Sequence, residues 1–192
     1  MNSKSVRKSI RTARNNLSSA AQQCASEALL ARFVQNRQVQ HAAKIGLYFS
    51  IAGEINTRPL IEYCWQQGKQ LYFPILHPFR RGHLLFLHYQ QNDELVLNRF
   101  AIPEPRLSIK KLLLANRLDI ICTPLVAFDC KGNRVGMGGG YYDRLFAYNP
   151  KPLRMGLAHD CQLVSGLSAA PWDQPLDEVL TPSKHWQFTI KR

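Results

Sequence analysis

Four glycines within five positions, Gly136, Gly138, Gly139 and Gly140, stand between Arg134 and the run Tyr141-Tyr142-Asp143-Arg144. Glycine loses more conformational freedom on folding than any other residue. A cluster is therefore kept where φ must be positive, or where a ligand approaches the main chain too closely for a Cβ. Ahead of it, Ile120 to Phe128 is a short apolar run of β-forming character that ends in a polar turn of Asp129, Lys131, Gly132 and Asn133. The residues after Gly140 suit the first turn of a helix. Loop N–H groups and a helix N-terminus then converge on one point, an arrangement that suits an anion such as phosphate. Arg134 and Arg144 would add positive charge there, and Asp143 an oxygen ligand for a metal ion. The plainer alternative is a glycine-rich turn that feeds a strand into a helix, with Asp143 favourable at the positive helix end.

Neither standard glycine-loop template fits. A Walker A loop ends in Gly-Lys-Ser/Thr, and no such pair follows these glycines. A dinucleotide fingerprint starting at Gly136 would put its third glycine on Tyr141. Further charge lies at the N-terminus, where Arg7, Lys8, Arg11 and Arg14 fall on adjacent helical turns and Arg7 and Arg11 share a face at i and i+4. A solvated basic face is the other reading of that run. Glu54 follows a compact β run, Ala43 to Ser50, at the strand end where open α/β sheets bind ligands; it is equally readable as an ordinary loop carboxylate. The histidines at 41, 77, 83, 88, 159 and 185 show no metal-ligand spacing. The five cysteines, 24, 64, 122, 130 and 161, are odd in number and contain no Cys-x-x-Cys, which argues against a disulfide framework or structural zinc.

The string PLVAFDCKGNRVGMGGGYYDR, Pro124 to Arg144, closely resembles the signature of the 5-formyltetrahydrofolate cyclo-ligase family, also called 5,10-methenyltetrahydrofolate synthetases. Agreement extends to the basic N-terminal helix, to Ser50-x-x-x-Glu54-Ile-x-Thr57, to Ile102-Pro-x-Pro105 and to Asp177-Glu178. The resemblance implies ATP-dependent cyclisation of 5-formyltetrahydrofolate to 5,10-methenyltetrahydrofolate with release of ADP and phosphate. It implies catalytic roles for Arg134, Tyr141 and Asp143. The nucleotide would lie on Arg7, Lys8 and Arg11 together with Arg134, Val135, Gly136, Met137, Gly138, Gly139, Gly140, Tyr141 and Tyr142. The folate would meet Phe49, Glu54, Phe100, Met137, Gly138, Gly139, Gly140 and Tyr141, with Glu54 gripping the N–H donors of the pterin. Mg²⁺ would be held by Asp143 and Asp177. Two departures stand out. Gly139 replaces a lysine present in some relatives, with Arg144 and the N-terminal arginines as possible substitutes, and Phe100 replaces a tryptophan, so that it either stacks on a ligand ring or plugs a loop.

The elements that must hold these residues fit an α/β chain: a three-layer open, mostly parallel sheet flanked by helices, preceded by an N-terminal helical pair. With 192 residues, 45% of them hydrophobic, one domain over 1–192 is expected. A formal charge of +12 implies anionic company. The basic residues are spread from Lys4 to Arg192 without a nucleic-acid-binding signature, so small anionic substrates are expected and nucleic acid is not. No apolar run approaches the ~18 residues of a membrane span. A cytoplasmic monomer is the expectation, with an Arg-rich transit peptide over residues 1 to 20 as a minor alternative.

Helical spacing covers Ser3 to about Val39 as two helices broken near Leu17-Ser18-Ser19, with Ser18 or Ser19 as N-cap. Thr57 would cap a helix closed by Gly68. Strands are predicted over Lys69 to Ile75, Leu84 to Tyr89, Leu118 to Thr123 and Leu153 to Ala158, and a parallel crossover is predicted between the runs at 43–50 and 69–75. Short helices are predicted over Leu107 to Leu114 and over Tyr141 to Tyr148, the latter ended by Asn149-Pro150. Leu97 to Pro105 reads as a rigid proline-punctuated segment, and Asp177 to Pro182 as an extended piece.

Overall fold

The computed structural model describes residues 3–189. Three helices, α1 (Ser3–Asn15), α2 (Ser19–Gln35) and α3 (Arg37–His41), precede β1 (Lys44–Gly46), and α4 (Arg58–Gln66) leads to β2 (Gln70–Leu76). Next come β3 (Leu84–His88), β4 (Leu95–Leu97), β5 (Pro103–Pro105) and β6 (Leu112–Leu113). The second half holds β7 (Ile120–Pro124), β8 (Ala127–Phe128), β9 (Arg134–Val135), α5 (Tyr141–Tyr148), β10 (Leu153–Leu157), β11 (Glu178–Leu180) and β12 (His185–Gln187).

The main sheet runs β12-β11-β10-β7-β1-β2-β3-β6. Its centre, β11 to β2, is parallel, and the flanking strands β12 and β3 pair antiparallel. From the β1/β7 junction the chain winds outward in both directions, so the crossovers on either side cover opposite faces and leave a crevice at the strand ends between them. Both faces are buried, as parallel strands require. Alternation along each strand divides the core in two. Leu71, Phe73, Ile120 and Cys122 join Leu29, Phe33 and Leu60 of α2 and α4 on one face. Tyr72 and Ile121 join Leu145 and Phe146 of α5 on the other. Helix α1 packs separately: Val6 and Ile10 bury against Val126, Ala127 and Val135 of the β8–β9 hairpin.

The helical pair is in fact a trio. Asn36 ends α2 and caps α3, its Oδ1 accepting the Val39 N–H at 3.1 Å. Ser18 caps α2 as expected, accepting from Ala21 N at 3.2 Å. Thr57 stands at the N-terminus of α4 but does not cap it, because its hydroxyl donates instead to Tyr48 O at 2.7 Å. The helix predicted over 107–114 is a single 3-10 turn, Ile109–Lys111, followed by β6, which pairs with Phe86 and Leu87. The proline-punctuated segment closes as the β4–β5 hairpin, and the piece after Asp177 becomes the parallel strand β11.

Candidate active site

A cavity of about 520 Å³ opens at the carboxyl ends of β1 and β7, where such a sheet is built to bind. Three segments form most of its wall, the chain after β1, the chain running from Pro124 through the glycine loop into α5, and the β4–β5 hairpin, with Arg11 of α1, β2 and Leu84 of β3 completing it.

The glycine loop is anchored from below by Asp129. Its Oδ1 accepts from Lys131 N at 2.9 Å and Asn133 N at 3.1 Å, and its Oδ2 from Leu167 N at 3.0 Å. Gly138 (φ 104°) and Gly140 (φ 62°) adopt left-handed backbone that side chains resist, and Gly140 is the N-cap residue of α5. A glycine cap offers no side-chain acceptor, so the first N–H groups of α5 remain available to a ligand. Arg7 reaches across from α1, its Nε donating to Gly136 O at 2.8 Å. Arg11 lines the cavity beside Gly136, Met137, Gly139 and Gly140. Arg7 does not itself line the cavity, and three further nucleotide-side expectations also lie off it. Lys8 is exposed and does not line the cavity, the Val135 side chain is buried with Val6 and Ile10, and Gly138 stands behind its neighbours against Arg7.

Arg134 and Asp143, read from the sequence as phosphate and metal ligands, are bonded to each other at 2.8 Å. Arg134 is buried. Its other terminal nitrogen donates to Gln174 O, and its guanidinium lies 5.5 Å from the centre of the Phe146 ring. Burial pulls its pKa below the usual arginine range, and the Asp143 carboxylate opposes that pull. Asp143 Oδ1 also accepts Gln174 N at 3.2 Å, while Oδ2 takes no hydrogen bond from the described residues. Asp177 is not brought to this place. It precedes β11 at the amino-terminal edge of the sheet, where its Oδ2 accepts Arg154 N at 2.8 Å, and it does not line the cavity. Among the described residues, no three His, Cys, Asp or Glu side chains gather as a metal cage.

On the opposite side, Leu47 N–H bonds Tyr72 O at 2.9 Å and extends β1 toward Tyr48 and Phe49. Phe49 stacks on Phe73 with ring centres 4.4 Å apart and meets Tyr89 edge-on at 5.5 Å, forming a flat apolar wall. Phe73 is fully buried, and truncating such a ring costs about 3–5 kcal/mol. The chain then turns through Ala52 and Gly53 into Glu54, whose carboxylate lines the cavity and accepts Ile51 N at 3.1 Å. Burial pushes the Glu54 carboxyl up to about 7, against the Ile51 hydrogen bond and the charge of Arg14. Burial, and then the Glu54 charge, raise the hydroxyls of Tyr48 and Tyr142, both of which line the cavity.

The β4–β5 hairpin forms the third side. Asn98 Oδ1 accepts Phe100 N at 2.9 Å and Ile102 N at 3.2 Å, and its Nδ2 donates to Glu104 Oε2 at 2.9 Å. Phe100 is 53% exposed, so it plugs nothing; it stands edge-on to Tyr141 at 6.3 Å at the cavity mouth. Arg99 fixes the Tyr141 hydroxyl at 2.7 Å. Arg144 bonds Gly82 O at 2.9 Å and also Gly139 O, which puts a cation beside the glycine that replaces the lysine of some relatives.

Reading the sequence did not single out Tyr48, Asn98 and Glu104 as cavity residues, nor Arg14 beneath it. Glu104 carried a signal, a lone charge between two prolines. Arg14 carried another, since Val6, Ile10 and Arg14 recur every fourth residue on one helical stripe. Tyr48 sits within an apolar β run and carried none.

The chain matches the 5-formyltetrahydrofolate cyclo-ligase family over residues 1–182. It is similar to the 5-formyltetrahydrofolate cyclo-ligase of Escherichia coli K12, 45% identical over 183 residues that cover 93% of this chain and 100% of that one. It is also similar to the Haemophilus influenzae enzyme of the same name, 44% identical over 177 residues, 91% of this chain and 95% of that one. The NMR structure of Aquifex aeolicus 5,10-methenyltetrahydrofolate synthetase superposes with a TM-score of 0.86 at 28% identity, covering 100% of this chain and 95% of the other. With a match of this length laid over the glycine loop and the cavity it borders, the chain belongs to the 5-formyltetrahydrofolate cyclo-ligase family.

Proposed function

We infer that this chain is an enzyme that converts 5-formyltetrahydrofolate to 5,10-methenyltetrahydrofolate, driven by ATP. The observation that carries the reading is a single cavity with two unlike sides. A glycine loop, a helix N-terminus and basic side chains face a flat aromatic wall that ends in Glu54. The formyl group on N5 is amide-like, and its oxygen is a poor leaving group. That oxygen attacks the γ-phosphorus of ATP and ADP leaves; N10 then closes on the activated carbon and gives up its proton to water, and the oxygen departs with phosphate. For such a transfer the protein mainly positions the reactants and neutralises charge.

In this reading the loop N–H groups, Arg7, Arg11 and Arg134 hold the phosphates. Phe49 and Phe100 flank the pterin, Glu54 accepts its N–H donors, and Tyr141, fixed by Arg99, orients the reacting edge. Magnesium keeps most of its water and takes one or two protein carboxylates plus phosphate oxygens, so the open Oδ2 of Asp143 fits it as the protein ligand. There it would offset phosphate charge. A monomer is the proposed working unit, and five free cysteines suit a reducing, cytoplasmic setting.

The test is optical. Mixing the protein with 5-formyltetrahydrofolate, ATP and Mg²⁺ should raise near-ultraviolet absorbance as the methenyl product forms, and leaving out ATP should abolish the rise. A rise that does not need ATP, or none with all components present, would reject the reading.

A further inference from the structure

Arg14, in the last turn of α1, is completely buried. Its Nη2 donates to Ala52 O at 2.8 Å, while Nε and Nη1 are buried without an acceptor among the described residues. A guanidinium taken out of water is normally matched by a carboxylate within ion-pair reach. Arg14 instead serves a turn. Ala52 (φ 48°) and Gly53 (φ 73°) are left-handed in succession, a conformation an alanine adopts only when held from outside. The Ala52 carbonyl is held by Arg14, and the Gly53 α-carbon faces Arg14 and Asn15, where an added Cβ would lie 3.7 Å and 3.2 Å from their atoms. The next residue is Glu54.

The charges around Glu54 single out Arg14. From its own turn, Glu54 faces the Ile51 N–H and Tyr48; from α5 it faces Tyr142, with Cys122 of β7 behind both tyrosines. Among the described residues, the Ile51 N–H and then Arg14 favour the ionised carboxylate. His159, after β10, is buried beside Arg14 with Nε2 unpartnered among the described residues; burial and the arginine lower its pKa, against Asp160 and a hydrogen bond with the Gly53 backbone. Cys161 faces the same guanidinium from that side, and Asp160 faces His159.

We propose that Arg14 is a positioning residue for the folate half of the site: through Ala52 O it sets the turn that aims the Glu54 carboxylate into the cavity, toward the pterin. This rests on the reading of Glu54 as the pterin's partner. Arg14 does not line the cavity. Its loss should therefore act on folate alone, and in a pH-dependent way.

The experiment measures steady-state KM for 5-formyltetrahydrofolate and for ATP between pH 5.5 and 9, with thermal melting, on the full chain and on Arg14→Met, Arg14→Gln, Arg14→Lys and Glu54→Gln. In the parent protein, folate KM should worsen as pH falls through about 7, where Glu54 takes up a proton. Arg14→Met should raise folate KM about tenfold at pH 7 and move that limb about one pH unit toward alkaline, with ATP KM within about twofold. Arg14→Lys should return the limb most of the way. Methionine fills the same apolar channel and should fold, since buried charges are often replaced by apolar chains without loss of stability. Arg14→Gln keeps a donor for Ala52 O without the charge, and carries the test where the methionine variant does not fold. A folded neutral variant whose pH limb stays put, or one that raises both KM values together, would overturn the proposal. A folate KM that Glu54→Gln leaves unchanged would remove its premise, a failure distinguishable from the first two.

Discussion

The two sides of the cavity leave neighbouring parallel strands and are built alike, yet their charges are handled in opposite ways. After β7, Asp143 is bonded to the buried Arg134 and pinned by Gln174, so opposite charges sit together at a fixed distance of 2.8 Å. After β1, Glu54 takes one backbone N–H and no ion pair from the described residues, and burial lifts its carboxyl to about 7. The difference agrees with the ligand proposed for each side. A polyanion needs a surface whose charge does not vary with pH, and a preset pair beside loop N–H groups supplies it. A ring with N–H donors needs an acceptor whose hydrogen bonds are still open.

Breaking the paired side should have the largest effect. Arg134→Ala leaves Asp143 without its cation and should cost about 3 kcal/mol, or roughly 10 °C in melting temperature. It should also lower kcat/KM for ATP by about a hundredfold. An ATP kcat/KM equal to the parent's would remove Arg134 from the phosphate side. Asp143→Asn keeps the shape and loses the charge; the Mg²⁺ needed for half-maximal rate should rise about tenfold, as a magnesium titration would reveal.

The unpaired side should respond selectively. Glu54→Gln should weaken folate binding by about tenfold and leave ATP affinity unchanged in calorimetry, and a parallel fall in both would dissolve the distinction between the two sides. Its stability signature has a definite sign. Since the carboxyl titrates at 4.5 when unfolded and about 7 when folded, the folded state holds the proton more tightly. The contribution is fully present below pH 4.5, is lost as pH rises toward 7, and is level above that. Glu54→Gln should therefore melt like the parent at pH 4 and be about 1–2 kcal/mol more stable at pH 8. The smallest effect belongs to Thr57→Val, which removes the bond to Tyr48 O and should cost about 1 kcal/mol in chemical denaturation with little change in either KM. Had Thr57 been a helix cap, the loss would show as fraying of α4 by circular dichroism.

The parts of the fold that were legible carry local signals. Tyr141–Tyr148 is bounded as predicted because a glycine precedes it and Asn149-Pro150 cannot continue it. Strands at 70–76 and 84–88 follow their apolar runs to within a residue. The β4–β5 hairpin was hidden by Pro103 and Pro105, which suppress a strand signal although an edge pair tolerates them. Leu112 and Leu113 read as helix but are drawn into the sheet by Phe86 and Leu87, a pairing no local window contains. At the site, the glycine loop, Glu54 and Phe49 were legible from composition and from the family pattern. The bond between Arg134 and Asp143 was not, since nine positions in sequence become neighbours only when β9 meets α5.

Arg144 ties two distant stretches together, bonding the carbonyls of Gly82 in the β2–β3 turn and of Gly139 in the glycine loop. Gly82 is left-handed (φ 79°), and a Cβ there would fall 2.3 Å from the guanidinium, so the contact admits no side chain. The outer turn at 77–83 and the inner loop are in effect one part, stapled through a single cation. Chimaeras that exchange surface turns between relatives must carry both segments across together, for a foreign turn grafted alone would release one end of the staple and slacken the glycine loop from outside.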